Sequence, residues 1–184
     1  MAQTQNTVSG VWTLLADNTT GAISPRDLRD ALETWRPRHG QIYVAAADAG
    51  DITIDDSTNY FEATAMTWTL SSGAHEFDES DGNGRLTYTG AQDIMCHIAC
   101  TISMTTGGSN NQVLHFRLGK NGTTDAASEV QRKVGTGTDV GSTAMHLIAS
   151  LSTGDHISLF AKNATSTGNV TIECANIQLM SMPM

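Results

Sequence analysis

From residue 41 to the end of the chain, apolar side chains recur at every second position, the spacing of strands with one buried side. The longest such run is residues 94–104. There Ile94, Cys96, Ile98, Cys100, Ile102 and Met104 share one face, and Met95, His97, Ala99, Thr101 and Ser103 share the other. Residues 113–120 repeat the pattern with Leu114, Phe116 and Leu118 inward, and Lys120-Asn121-Gly122-Thr123 supplies a tight Asn-Gly turn. Residues 128–134 follow, then Met145, Leu147, Ala149 and Leu151, the turn Ser152-Thr153-Gly154-Asp155, and Ile157, Leu159 and Ala161. At the end Val170, Ile172 and Cys174 alternate until the phase shifts to Ala175, Ile177 and Leu179, the mark of a β-bulge. Shorter strands are predicted at 41–46, 53–54 and 66–70, set apart by turns at 48–51, 55–57 and 71–73. Strands at this spacing with no helix between them predict an antiparallel β-sandwich over residues 41–184.

Residues 1–40 follow a different period and form an arm. Ser24 is placed as an N-cap, Pro25 takes the first helical position and Asp27 is placed to reach back, after which Leu28, Ala31, Leu32 and Trp35 recur at helical spacing until Pro37. This predicts one short amphipathic helix over about 24–36. A helix of this length is marginal alone, so its Leu28, Leu32 and Trp35 side must pack on its own β-domain or in a groove of another protein. Upstream, Val11, Trp12, Leu14 and Leu15, with Val8, make a second apolar knot in a polar arm, a docking peptide or another self-packed segment.

Composition narrows the function. The chain of 184 residues suits one domain plus an arm, and 17 glycines with 3 prolines favour strands and turns. With 10 Lys and Arg against 19 Asp and Glu, the formal charge is −9, which repels phosphate backbones and argues against nucleic acid as a direct partner. The polar opening Met1 to Asn6 predicts no signal peptide, and no apolar stretch approaches membrane-spanning length. Cys96, Cys100 and Cys174 are an odd set inside alternating apolar segments, so each is expected to act as a small buried hydrophobe.

Several segments, taken in order, resemble the jelly-roll domains of the tumour necrosis factor and C1q type found in many bacteriophage structural proteins. They are Phe77 with Gly84-Arg85-Leu86-Thr87-Tyr88-Thr89-Gly90, the strand 94–104, Phe116-Arg117-Leu118-Gly119-Lys120-Asn121-Gly122, Leu151 to Asp155 with Ile157-Ser158-Leu159, and a last strand through Asn176 and Leu179. The likeness covers about residues 75–181. Asp17-Asn18-Thr19-Thr20-Gly21-Ala22-Ile23-Ser24-Pro25-Arg26-Asp27-Leu28-Arg29-Asp30 also resembles a stretch near the start of phage virion proteins. The resemblance implies an all-β, antiparallel jelly-roll sandwich behind an N-terminal arm with one short α-helix, assembled as a homotrimer. It further implies a place on a virion: a capsid decoration (cement) protein bound to the major capsid protein, made in the host cytoplasm. The alternative is a tail-fibre or tail-tip module that binds a host surface glycan. Such trimers often line their axis with aromatic residues; aromatics are 5% of this chain, so Met, Leu and Thr are expected there instead.

The candidate chemistry is sparse. His39, His75, His97, His115, His146 and His156 stand singly, with no H-x-H or H-E-x-x-H spacing, so no metal site, cofactor or catalytic set is expected. Solvent-facing or subunit-interface positions suit them, and a histidine ring about a three-fold axis is the sharper alternative. Cys96 and Cys100 share a strand face two pleats apart, too far for a disulfide and lacking a second pair for zinc. The acidic loop 78–84 does not fit a calcium-loop spacing and reads as a solvated hairpin. Glycosylation-type triplets occur at Asn18, Asn121, Asn163 and Asn169, and carry no meaning without a secretory signal; Gly135-Thr136-Gly137-Thr138 lacks the lysine and helix of a P-loop. Under the tail-tip alternative, Trp68 and Tyr88 are the aromatic candidates for a glycan, both in strand-like contexts that favour burial. The residues expected to dock a partner are therefore Val11, Trp12, Leu14, Leu15, Leu28, Leu32 and Trp35.

Overall fold

The computed structural model describes residues 25–79, 81–107, 111–136 and 139–182. The chain divides into two compact units, Met1–Pro37 and Arg38–Met184. In the first unit the described part is one helix, α1 (Pro25–Thr34), and the short turn that leads from it to Pro37. Ser24, Val11, Trp12, Leu14 and Leu15 lie outside the described residues.

The second unit is built from β1 (His39–Val44), β2 (Gly50–Ile52), β3 (Phe61–Glu62), β4 (Thr69–Leu70), β5 (Phe77–Asp78), β6 (Leu86–Tyr88) and β7 (Ile94–Thr106), then β8 (Gln112–Lys120), β9 (Thr123–Thr124), β10 (Val130–Val134), β11 (Gly141–Leu151), β12 (His156–Asn163) and β13 (Val170–Ser181). They form two antiparallel sheets. One runs β11-β7-β13-β1-β4, with β2 also on β13; the other runs β10-β8-β12-β6-β5, with β3 on β12 and β9 on β8. The first and last strands of the unit pair with each other, and the chain passes from β10 to β11, to β12 and to β13 by changing sheet each time. That winding is a jelly roll.

Strict alternation places the core. β7 buries every second side chain from Ile94 to Thr106, and Leu114, Phe116, Leu118, Ile157 and Leu159 meet that face from the opposite sheet, all fully buried. Phe116→Ala is expected to destabilise the unit by about 3–5 kcal/mol, because the rigid sheets cannot close the cavity; chemical denaturation checks it. Between β8 and β9 the Asn-Gly turn holds both central residues at positive φ, Asn121 at 51° and Gly122 at 79°, the twist a two-residue hairpin requires. Arg38 closes the start of the unit: its N–H donates to Ser181 Oγ at 2.9 Å, and Ser181 N–H donates back to its carbonyl at 2.8 Å.

Two expectations need correction. The strand expected at 53–54 lies instead at Gly50–Ile52, paired with β13, while the chain reverses through a 3-10 turn at Ala46–Asp48. Gly50 packs so closely on Met66 that an added Cβ would stand 2.8 Å from Met66 Cβ, so this glycine serves strand packing and not a turn. The bulge in β13 falls between Ile172 and Cys174, one residue earlier than the phase change suggested. Glu173 is the extra residue, and Cys174 leaves the core and is exposed. Cys96 and Cys100 are buried as expected, and burial pushes their thiols up to about 11 and about 12. A thiol reagent is thus expected to modify Cys174 in dispersed copies and to reach Cys96 and Cys100 only on unfolding, which mass spectrometry of the labelled protein would read out.

Candidate assembly face

The outward side chains of the β11-β7-β13-β1 sheet lie in rows set by the strand register. One row is His39, Met180, His97 and Ile148; the next is Gln41, Gln178, Ala99 and His146; the third is Tyr43, Asn176, Thr101 and Ala144; the fourth is Cys174, Ser103 and Ser142. None of these is Asp, Glu, Lys or Arg, although such residues are 16% of the chain. Charge resumes only at the end of the face, where Thr105 donates to Glu173 at 2.7 Å. Ile148 and Met180 are 60% and 50% exposed. A shallow trough of 510 Å³ runs between β7, β11 and β13 over Thr101, Ser103, Ser142, Ala144, Cys174 and Asn176.

The outer side of the other sheet is charged and locked by ion pairs. Glu129 accepts from Arg117 and contacts His115 Nδ1 at 2.8 Å, and Arg85 forks onto both oxygens of Glu62 at 2.9 and 3.0 Å. Tyr60 lies between Arg117 and Lys162, 4.4 and 4.8 Å from its ring centre. Bonds from Arg117 and His115 hold the Glu129 carboxyl down to about 2 from an ordinary 4.5. Asp155, despite desolvation that raises it, is held at about 2 by Lys120, the Ser152 N–H and Asn121. Depressed carboxyls stabilise the fold above their unfolded values, so stability is expected to fall as pH drops from about 4.5 toward 2. Urea melts across that range check this, and Glu129→Gln should flatten the slope.

The structure places the other candidates individually. Leu28 and Leu32 on α1 and Trp35 in the turn that follows it are 52%, 64% and 61% exposed. Trp68 and Tyr88 are core residues: Trp68 Nε1 donates to the Ala63 carbonyl at 2.9 Å, and the Tyr88 hydroxyl donates to the Gln92 carbonyl at 2.7 Å. Neither offers a surface for a glycan. Tyr88→Phe is expected to cost about 1–3 kcal/mol, since it leaves a part-buried carbonyl without its donor; thermal melting checks it. Asn163 is fully buried, donating to Gln112 and to the Gly168 carbonyl, so its triplet marks a loop anchor. Among the described residues no cluster of three metal-ligating side chains occurs, and no helix is long and apolar enough to cross a membrane. What the sequence did not reveal is a pair: His97 and His146, 49 positions apart, meet on the uncharged face with Nε2 and Nδ1 3.1 Å from each other. The signal was available only through the register of β7 against β11.

No protein-family model matches the chain, and no curated protein matches it. Solved structures do. The Eiger TNF of S. frugiperda matches with a TM-score of 0.49 at 11% identity, covering 80% of this chain and 94% of that one. Murine APRIL at pH 5.0 matches with a TM-score of 0.49 at 7% identity, covering 79% of this chain and 100% of that one. At such identities and TM-scores these likenesses decide nothing further; the antiparallel sandwich is read from this chain's own strand order.

Proposed function

We propose that this chain is a non-catalytic structural module that assembles with copies of itself through the outer face of the β11-β7-β13-β1 sheet. The observation that carries the reading is the absence of charge across that face in a chain of net charge −9. A sheet face left to water normally carries Lys and Glu, which keep copies apart. Depletion of charged residues is instead what marks the centre of an interface. The three-fold arrangement follows from the jelly-roll resemblance of residues 75–181. Head-to-tail contacts about such an axis close into a ring and do not run on into filaments.

The finer reading is a capsid decoration protein on a phage head, its arm gripping the major capsid protein. It draws on the virion-like stretch 17–30 and on the exposed Leu28, Leu32 and Trp35. A protein that binds only the assembled shell stabilises it by mass action, and three arms on one trimer multiply weak contacts. The test is mass by light scattering, then co-sedimentation with undecorated capsids. A trimer that pellets with capsids and raises their melting temperature supports both steps. A trimer that ignores capsids removes the shell from the reading, and a monomer removes the assembly.

A further inference from the structure

The uncharged face holds one constellation that self-association does not require. His97 on β7 stands opposite Ile148 and His146 on β11 stands opposite Ala99, so the two histidines are diagonal neighbours on adjacent strands. Their rings lie nearly parallel, 16° apart with centroids at 5.2 Å, and Nε2 of His97 is 3.1 Å from Nδ1 of His146. We propose that His97 and His146 form a two-imidazole site for a divalent transition-metal ion of the zinc, nickel or copper(II) class.

The separation of the nitrogens is what points to an ion. A tetrahedral centre with metal–nitrogen bonds of about 2.0–2.1 Å holds two of its imidazole nitrogens ~3.3 Å apart. The pair stands within a few tenths of an ångström of that, on two strands fixed by a continuous ladder from Gly141↔Met104 to Leu151↔Ile94. Each ring's only polar partner among the described residues is the other ring, so both can turn their lone pairs onto an ion without breaking a different contact. The donor chemistry selects the class. Imidazole suits zinc, nickel and copper, whereas calcium and magnesium require oxygen ligands, and the rows around the pair contain no carboxylate. With no third His, Cys, Asp or Glu joining them among the described residues, water or groups of a facing copy fill the remaining positions. Both ligands come from one copy, so the site stands whether or not the chain assembles.

The experiment uses the full-length protein, stripped with chelator and titrated calorimetrically with zinc chloride and, separately, nickel chloride. The same samples are sized by light scattering. Wild type is expected to bind one ion per chain. Outer-shell partners of a ligating histidine are already worth about 10–100-fold in affinity, so loss of either ligand in His97→Ala or His146→Ala should weaken binding by about tenfold or more. Circular-dichroism melting confirms that these exposed-site variants remain folded. Absence of binding to wild type would identify the pair as a hydrogen bond between two rings and overturn the proposal. Equal binding by wild type and by a chain carrying both His97→Ala and His146→Ala would place the ion elsewhere and overturn it too. A monomer that binds the ion through these histidines keeps this site and removes the assembly reading; a trimer that binds none does the reverse.

Discussion

Ile148→Asp is expected to convert the assembled protein into folded monomers. Ile148 is 60% exposed on β11, the edge strand of its sheet, so the change removes little from the core. Within one copy the cost should be about 1 kcal/mol or less, the span of strand propensity at an exposed position. At an interface the effect is far larger. Covering an isoleucine contributes about 1.5–3 kcal/mol, and an unpaired carboxylate shut between copies opposes association by several more. Association should weaken by at least ~100-fold, since about 1.4 kcal/mol is tenfold. Light scattering at one concentration distinguishes wild type from variant, and unchanged circular dichroism shows that the fold survives. In the variant, Cys174 should also label faster, because the trough it lines is no longer covered. A variant that remains assembled would remove this face as the interface.

If the chain binds capsids through its arm as proposed, deletion of residues 1–36 is expected to leave the sandwich folded and self-associated and to abolish capsid binding. The division of the chain before Arg38 and the paired Arg38–Ser181 bonds mean that the cut leaves the strand ladder closed. What is lost is the exposed Leu28 and Leu32 of α1 and Trp35 just after it, together with Val11, Trp12, Leu14 and Leu15 upstream. With multivalent arms removed, retention on capsids should fall to background, not by a graded amount. Co-sedimentation of the truncated chain with undecorated capsids is the measurement, and a truncated chain that still decorates them would move docking to the sandwich.

Much of the fold was legible because period-two alternation is a local signal. Residues 94–104 and 113–120 each had one possible inward face, and burial followed it. Where the reading slipped, a local cue had two meanings. Asp48-Ala49-Gly50-Asp51 has turn composition, yet Gly50 serves a close packing against Met66 and the strand begins there. The β13 alternation put the bulge after Cys174, and only pairing with β7 placed it before that residue. The buried positions of Trp68 and Tyr88 were expected from their strand contexts, and their carbonyl partners, Ala63 and Gln92, lie close in sequence.

The sequence alone determined the long strands, their inward faces up to the bulge in β13, the Asn-Gly hairpin and the short helix, because propensity, periodicity and turn chemistry act over a few residues. The tertiary structure alone decided which strands became neighbours. Register across β1, β13, β7 and β11 gathers side chains from distant segments into one uncharged face and sets His97 against His146. Side chains on the solvent side carry no periodic signature of their own, so their juxtaposition emerges only when backbone hydrogen bonding fixes the ladder.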